Sequence, residues 1–419
     1  MSQSTVHNDS APTAGNSIRP TVPGGNGPGP RVSSTESIES SASEGPCLKR
    51  ILLVLENGSR SPSGVVRALV YRELLAAHGF SAQFVVRQPL KLMDWINNLP
   101  SVLRVVVRRP WLKSRLIRWG TTVSERRILK LAREVDIVYL AKVLSYPFVE
   151  KICSQTKARV VYDFGDAVWL SSANQDQFND VLKSVDAVTT DNDVAADYVR
   201  RYNPNCIVIP DAPPLDAFDK RRADLGSKQN DHITLGWIGS PGTAYNLYLI
   251  WDALEEVFAR HPNLHLRLVG TGHNLQLLPP FERVRFSYRP FYSQAEMVEE
   301  VFSMDIGLFP LQDVERCRTR GVFKATNYMS GEAVVVASPV GQCADFIEDG
   351  VNGMLAGSTR EWVDKLDVLI NDAALRRRLT QNGLSAVRAN FRVDQSFAKL
   401  KQVLLANNGQ PIGDARTKV

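Results

Sequence analysis

Short apolar runs rich in β-branched residues recur along this 419-residue chain from Lys49 to about Gly341, each ending near a small-residue turn. A run of that kind, without polar alternation, reads as a strand buried on both faces of a parallel sheet. KRILLVLENG (49–58) opens the series and closes on the turn signal Asn57-Gly58. SRSPSG follows, then VVRALVYRELLAAHGF, with Val65, Val66, Leu69, Leu74 and Leu75 at helical spacing. Gly79 is placed to end that helix in a left-handed conformation. SAQFVVRQ (81–88) is the next strand, so strand, loop, helix and strand make a βαβ unit.

The alternation continues through DIVYLAK (136–142), ARVVYDFGD (158–166), DAVTTDN (186–192) and CIVIPDA (206–212). Pro210, Pro213 and Pro214, then a charged stretch through Asn230, predict a linker. The pattern restarts at Ile233 with ITLGWIGS, followed by LHLRLVGTG, RVRFSYRPF, DIGLFPL and AVVVASPVG. NLYLIWDALEEVFARHP (246–262) between them reads as one amphipathic helix, with further helices around Gln294–Ser303 and Val322–Ser330. Two such series predict an α/β protein with two parallel-sheet domains, 47–215 and 231–395, joined by a linker at 216–230. A C-terminal helix and tail fill 396–419. Residues 1–46, rich in Ser, Pro, Gly, Asn and Thr, predict a disordered tail. Ligands of such sheets sit at the carboxyl ends of the strands, so the cleft between the domains is the expected site.

Composition narrows the function. Fifty basic and 44 acidic residues leave a formal charge of +6, too modest for a dedicated nucleic-acid binder. Cys47, Cys153, Cys206, Cys317 and Cys343 form no C-x-x-C pair, and the six histidines form no H-E-x-x-H pair. Neither a disulfide framework nor a protein-built metal site is expected. No apolar run reaches the roughly 18 residues that span a bilayer, and the N-terminus lacks the apolar core of a secretory signal. A cytoplasmic protein is expected.

Three segments carry candidate chemistry. GWIGSPGTAYN (236–246) ends a strand in Gly239-Ser240 and turns through Thr243 into a helix, where backbone N–H groups can receive a phosphate. CRTRGVFKATN (317–327) places Arg320 and Lys324 around Gly321 and Val322 at a helix start. Cations there run against the helix dipole; an anionic ligand would account for them, and the alternative is a solvated or salt-bridged basic pair. Asn327, one turn from Lys324, can bond sugar hydroxyls. VYDFGDAVW (161–169) ends a strand with Asp163 and Asp166, which can bind hydroxyls, act as acid or base, or simply cap the next element. A fourth segment, 101–118, holds Arg104, Arg108, Arg109, Lys113, Arg115 and Arg118 and no acid, with Leu112, Leu116 and Trp119 on one helical face. It reads either as a helix for an anionic membrane surface or as a helix packed on its own domain.

VYDFGDAVW, GWIGSPGTA, DIGLFPL, GVFKATNYMSGEAVVVASPVG and DGVNGMLAG, in that order, closely resemble glycosyltransferase family 4 proteins, from about Lys49 to about Phe397. The resemblance implies a GT-B fold, two Rossmann-like domains around a cleft. It implies a retaining, metal-free transfer from a UDP- or GDP-linked sugar, without another cofactor, to a glycan or lipid-linked acceptor. Donor binding would fall to Gly239, Ser240, Thr243, Gly321, Val322 and Asn327. Arg320 and Lys324 would meet the diphosphate, Asp163 or Asp166 would orient the acceptor hydroxyl, and Ser63, Gly64 and Arg67 would line the acceptor side. Where many members carry two glutamates with seven residues between them, this chain has Thr319 and Asn327. The D-F-D-D of a similar branch appears as Asp163-Phe164-Gly165-Asp166. The alternatives are a nucleotide-sugar epimerase, a non-catalytic nucleotide- or glycan-binding relic of the same fold, and a membrane-surface scaffold that uses only the basic helix.

Overall fold

The computed structural model describes residues 49–58, 62–99, 109–165, 167–170, 175–225, 232–279 and 282–406. They form two six-stranded sheets in which every pairing is parallel. The first contains β1 (Lys49–Leu55), β2 (Phe80–Val86), β3 (Ile137–Ala141), β4 (Arg159–Asp163), β5 (Ala187–Thr190) and β6 (Cys206–Val208), in the order β2-β1-β3-β4-β5-β6. The second contains β7 (Ile233–Ile238), β8 (Leu264–Val269), β9 (Phe286–Arg289), β10 (Ile306–Phe309), β11 (Val334–Ala337) and β12 (Met354–Leu355), in the order β12-β11-β10-β7-β8-β9. Strand order reverses between β1 and β3 and again between β7 and β10. Those are the points where crevices open at the carboxyl ends of such sheets.

The unalternating apolar runs follow from helices on both faces. β3, β4 and β5 are buried at every residue. Leu52, Val54, Val138 and Leu140 face Phe148 and Phe178 of the helices Tyr146–Gln155 and Gln175–Ser184. Ile51, Leu53, Ile137 and Tyr139 face the other way, onto Tyr71 and Leu75 and onto Phe397, Leu400, Val403 and Leu404. Those last four belong to the helix Val393–Leu405, so the end of the chain completes the core of the first domain. Arg159 Nε donates to the Val403 carbonyl at 3.2 Å and Ser396 Oγ to the Pro210 carbonyl at 3.1 Å.

Three expectations are revised. Much of the stretch expected as a linker is the helix Leu215–Leu225. Phe218 is fully buried against Val301 and Phe302 of the second domain, while Arg221 pairs with Glu299 at 2.6 Å and Arg222 donates to the Ser330 carbonyl at 2.8 Å. One large apolar side chain in a charged stretch was enough to dock it. The 65–80 helix is broken into Pro62–Arg67, a 3-10 turn Leu69–Tyr71, and Arg72–Ala77. The backbone turns at Ala68 (φ −140°), and the Tyr139 hydroxyl donates to the carbonyl of Arg67 at 3.2 Å. Gly79 has φ +78°, the left-handed residue expected at that helix end. The helix expected over 246–262 is a 3-10 segment, Pro241–Ile250, followed by Trp251–Arg260. The expected N-terminal tail lies outside the described residues.

A buried ionic cluster holds the carboxyl ends of the first sheet. Arg67 is 4% exposed and Asp163 is fully buried. Arg67 Nε and Nη2 donate to the Asp163 carboxylate at 2.6–2.9 Å, and Nη1 donates to Asp211 Oδ1 at 2.7 Å. Thr189 Oγ1 donates to Asp163 at 2.6 Å. Burial alone would favour loss of the guanidinium proton, but the two carboxylates raise its pKa further above an already high value. Replacing Arg67 by Met would leave two carboxylates without their cation. Arg67→Met should therefore destabilise the first domain by about 3–5 kcal/mol. An unchanged urea midpoint for the transition of that domain would refute this assignment.

Candidate active site

β7 ends at the crevice of the second sheet, and its last turn is pinned by its own side chains. The Ser240 N–H donates to Thr243 Oγ1 at 3.2 Å, and Thr243 Oγ1 donates to the Ser240 carbonyl at 3.0 Å. Beside this turn lies the helix Phe323–Ser330. The Tyr328 hydroxyl anchors it, accepting the Ile238 N–H at 2.8 Å and donating to the Leu308 carbonyl at 3.3 Å. That one hydroxyl bridges β7 and β10 at the point where strand order reverses.

The anchoring sets Lys324 over the end of β7. Its ammonium stands 4.5 Å from the centroid of the buried Trp237 ring and 5.6 Å from that of Phe309, and donates to Thr243 Oγ1 at 3.5 Å. Gly239 leaves the room: a Cβ there would come within 2.5 Å of the Trp237 ring and 2.7 Å of Lys324 Nζ. Desolvation, followed by the neighbouring charge of Arg320, pushes the Lys324 pKa down to about 7. Among the described residues, no carboxylate lies within 4 Å of the charged nitrogens of Arg320 or Lys324. Arg320 Nε is buried without a hydrogen-bond partner. A desolvated ammonium beside a half-buried guanidinium, with no carboxylate within 4 Å of either among the described residues, forms a site for an anion.

The remaining donor-side residues divide. Asn327 is 2% exposed; its Nδ2 donates to the Phe323 carbonyl at 2.6 Å, which leaves Oδ1 buried and unbonded. The Val322 N–H, expected to be available, already donates to Gln342 Oε1 at 3.2 Å. Thr319 is fully buried and turns its hydroxyl onto the Arg316 carbonyl at 3.0 Å.

Across the cleft the expected acceptor-side residues are placed differently from one another. Asp163 and Arg67 do not face the cleft, because each satisfies the other inside the ionic cluster. Gly64 is buried where the first helix closes on the Gly58 carbonyl, with no room for a Cβ. Ser63 is partly exposed at the start of that helix, and Asp166 lies outside the described residues. The carboxylate that does reach the second domain is Asp191, 8% exposed and unremarked in the sequence. A Cβ on Gly321 would come within 2.9 Å of Asp191 Oδ2, and one on Gly165 within 3.0 Å, so two glycines make its space. Asn192 Nδ2 donates to the Thr319 carbonyl at 2.8 Å, Gln342 Nε2 to the Asp191 carbonyl at 3.3 Å, and Trp169 Nε1 to Glu315 at 3.4 Å. These bonds join the two domains beside Arg320.

A cavity of about 510 Å³ lies near the carboxyl ends of β2 and β3, lined by Arg87, Gln88, Arg118, Thr121, Thr122 and Ser145 among others. Glu56 and Glu125 fix Arg87, both at 2.6 Å. The Arg87 guanidinium and the Gln88 amide donate to Glu56 and Glu125, and the Thr121 and Thr122 hydroxyls donate to helix carbonyls, which leaves the hydroxyl oxygens as acceptors and Arg118 as a donor toward a ligand. Among the described residues no group of three His, Cys, Asp or Glu could hold a metal ion.

Residues 232–372 match the family model described as Glycosyl transferases group 1. No curated protein matches the chain. Among solved structures, HepE of Anabaena in complex with UDP and glucose is 14% identical, with a TM-score of 0.61 over 86% of this chain and all of that one. Sucrose-phosphate synthase from Thermosynechococcus elongatus is 13% identical, with a TM-score of 0.58 over 85% and 98%. The α,α-trehalose-phosphate synthase (UDP-forming) from Burkholderia vietnamiensis is 13% identical, with a TM-score of 0.58 over 87% and 99%. At such identities the likeness is one of fold, and the fold is GT-B. With the family match to the second domain, it supports the GT-B glycosyltransferase superfamily.

Because a bound anion favours charged Lys324, its binding should raise that pKa and take up a proton above pH 7. Affinity for inorganic pyrophosphate should be highest below pH 7 and fall by up to about tenfold per pH unit above it. Lys324→Arg should flatten the profile. Calorimetry in buffers of different ionisation enthalpy reads both quantities, and a flat profile in the unmodified protein would refute the role of Lys324.

Proposed function

We propose that the protein transfers a sugar from a UDP- or GDP-linked donor to a hydroxyl of a glycan or lipid-linked acceptor, with retention of anomeric configuration, as a cytoplasmic enzyme of the family 4 type. The observation that carries this reading is the unneutralised pair Arg320 and Lys324 at the β7–β10 crevice, within the region matching Glycosyl transferases group 1. During transfer the anomeric carbon becomes oxocarbenium-like while the leaving diphosphate gains negative charge. Fixed donors at that charge are usually the largest catalytic contribution. Arg320, Lys324 and the backbone around Gly239 and Gly321 supply them. The unbonded Oδ1 of Asn327 accepts from a sugar or ribose hydroxyl. Structures of HepE bound to UDP and to UDP-glucose favour a uridine donor.

Retention follows if the acceptor attacks from the side of the leaving group, so that the departing phosphate takes the acceptor proton. No separate base is then needed, and Asp191, with Asp166, orients the acceptor hydroxyl from the first domain. The acceptor sugar would occupy the cavity of Arg87, Thr121 and Ser145. Since the two cations meet the diphosphate charge, the reading calls for no metal.

A panel of UDP- and GDP-sugars should include one that raises the melting temperature, because a ligand bound only to the folded state stabilises it. Lys324→Ala should weaken binding of that donor by about 1.5–3 kcal/mol. Turnover should persist in excess EDTA, and NMR of the product should show the anomeric configuration of the donor. An inverted product would refute retention, and loss of turnover on chelation would refute metal independence. Donor binding without turnover would favour the relic, a reading consistent with the absence of a carboxylate at Thr319 and Asn327. Donor turnover without acceptor would favour the epimerase.

A further inference from the structure

We infer that the protein docks on an anionic lipid surface through one face of the helices Leu90–Asn98 and Pro110–Ala132. The distribution of tryptophan marks the face. Of seven in the chain, Trp169, Trp237, Trp251 and Trp362 are buried, whereas Trp95, Trp111 and Trp119 are 56%, 56% and 65% exposed. All three exposed indoles lie on this helix pair, where Pro89 and Leu92 pack against Gly120 of the longer helix.

Seven of the exposed residues on the longer helix form a stripe. Trp111, Arg115, Arg118, Trp119, Thr122, Val123 and Arg126 are all exposed, at positions i, i+4, i+7, i+8, i+11, i+12 and i+15. That spacing keeps them on one side of an α-helix. The face differs from the one the sequence suggested: Leu112 and Leu116 are partly buried, and Arg104 and Arg108 lie outside the described residues.

Charge identifies the occupant. The helix Pro110–Ala132 carries six basic residues and one acid, Glu125, and that acid is bound by Arg87. Arg115, Arg118 and Arg126 have no ion-pair partner among the described residues. Indoles that sit at headgroup level, interleaved with unpaired guanidinium groups, match an anionic bilayer surface. None of the described helices is long and apolar enough to cross a membrane, so the contact is superficial. Arg118 and Thr122 belong both to this stripe and to the cavity at the strand ends. If the cavity holds the acceptor, as proposed above, docking brings its mouth to the headgroups.

The test uses the full-length protein with vesicles of phosphatidylcholine alone or with about a third phosphatidylglycerol, at low and high salt. Partitioning measured by co-sedimentation should be at least tenfold stronger on the anionic vesicles and fall at high salt, with a blue shift of tryptophan emission. Each basic residue contributes roughly fivefold near such a surface, so Arg115→Gln with Arg126→Gln should lower partitioning by at least tenfold. Trp111→Ser with Trp119→Ser should abolish the blue shift and weaken partitioning. Both variants should keep the melting temperature and its response to a donor sugar, which separates failure of docking from failure of the transferase reading. Equal binding to neutral and anionic vesicles would overturn the inference. So would variants that bind as well as the original, which would mark the face as a site for a protein partner.

Discussion

The pairing of Arg67 with Asp163 and Asp211 decides what the first domain can present to the cleft. Parallel strands end together, and their last residues carry backbone and side-chain groups that must be satisfied or solvated. Here a single guanidinium gathers the end of β4, the segment after β6 and, through Thr189, the end of β5. The loops that leave these strands, Phe164-Gly165 and Asp191-Asn192, start from fixed points. Asp191 can then be held in a space defined by two glycines, and Asn192 can reach the carbonyl of Thr319 in the other domain.

The second domain balances one buried carboxylate, Glu300, with Arg267 and Arg289, but at the β7–β10 crevice it handles charge in the opposite way. Arg320 and Lys324 are brought close enough for one to depress the pKa of the other, and the described structure supplies neither with a carboxylate. The ammonium rests on an indole face, a favourable but weak contact compared with an ion pair. A buried charge balanced within the protein rigidifies; a charge left unbalanced is held ready for something else. The two halves share a topology, and the contrast between their charged groups separates scaffold from site.

The sheets were legible because a strand covered on both faces has to be apolar throughout, and the β runs from KRILLVL to AVVVASPVG say so locally. Arg320 and Lys324 were legible because cations at a helix start contradict the dipole. The acceptor side was not. Arg67 and Asp163 stand 96 residues apart, and nothing local shows that each is spent on the other. Asp191 fell at the end of DAVTTDN, a run read as a strand, and its neighbour opens the next helix: Asn192 Oδ1 accepts the Ala195 N–H at 2.8 Å. The docking of Leu215–Leu225 rested on Phe218, one apolar residue amid charges, below the threshold of any periodic pattern. The exposed tryptophans were partly visible: Trp119 stood out beside the arginines, whereas Trp95 joined it only through helix packing.

The return of the helix Val393–Leu405 to the first domain couples folding to the timetable of synthesis. Phe397, Leu400, Val403 and Leu404 cover one face of the sheet that begins at Lys49. At about 5–20 residues per second, translation needs roughly 10–40 s to pass from the end of β6 to that helix. Throughout that interval the nascent first domain has its strands but lacks part of the layer over Ile51, Leu53 and Tyr139. The usual order, in which the leading domain finishes before the trailing one is made, is closed to this chain. One layer of its first domain is made only after the whole of the second sheet.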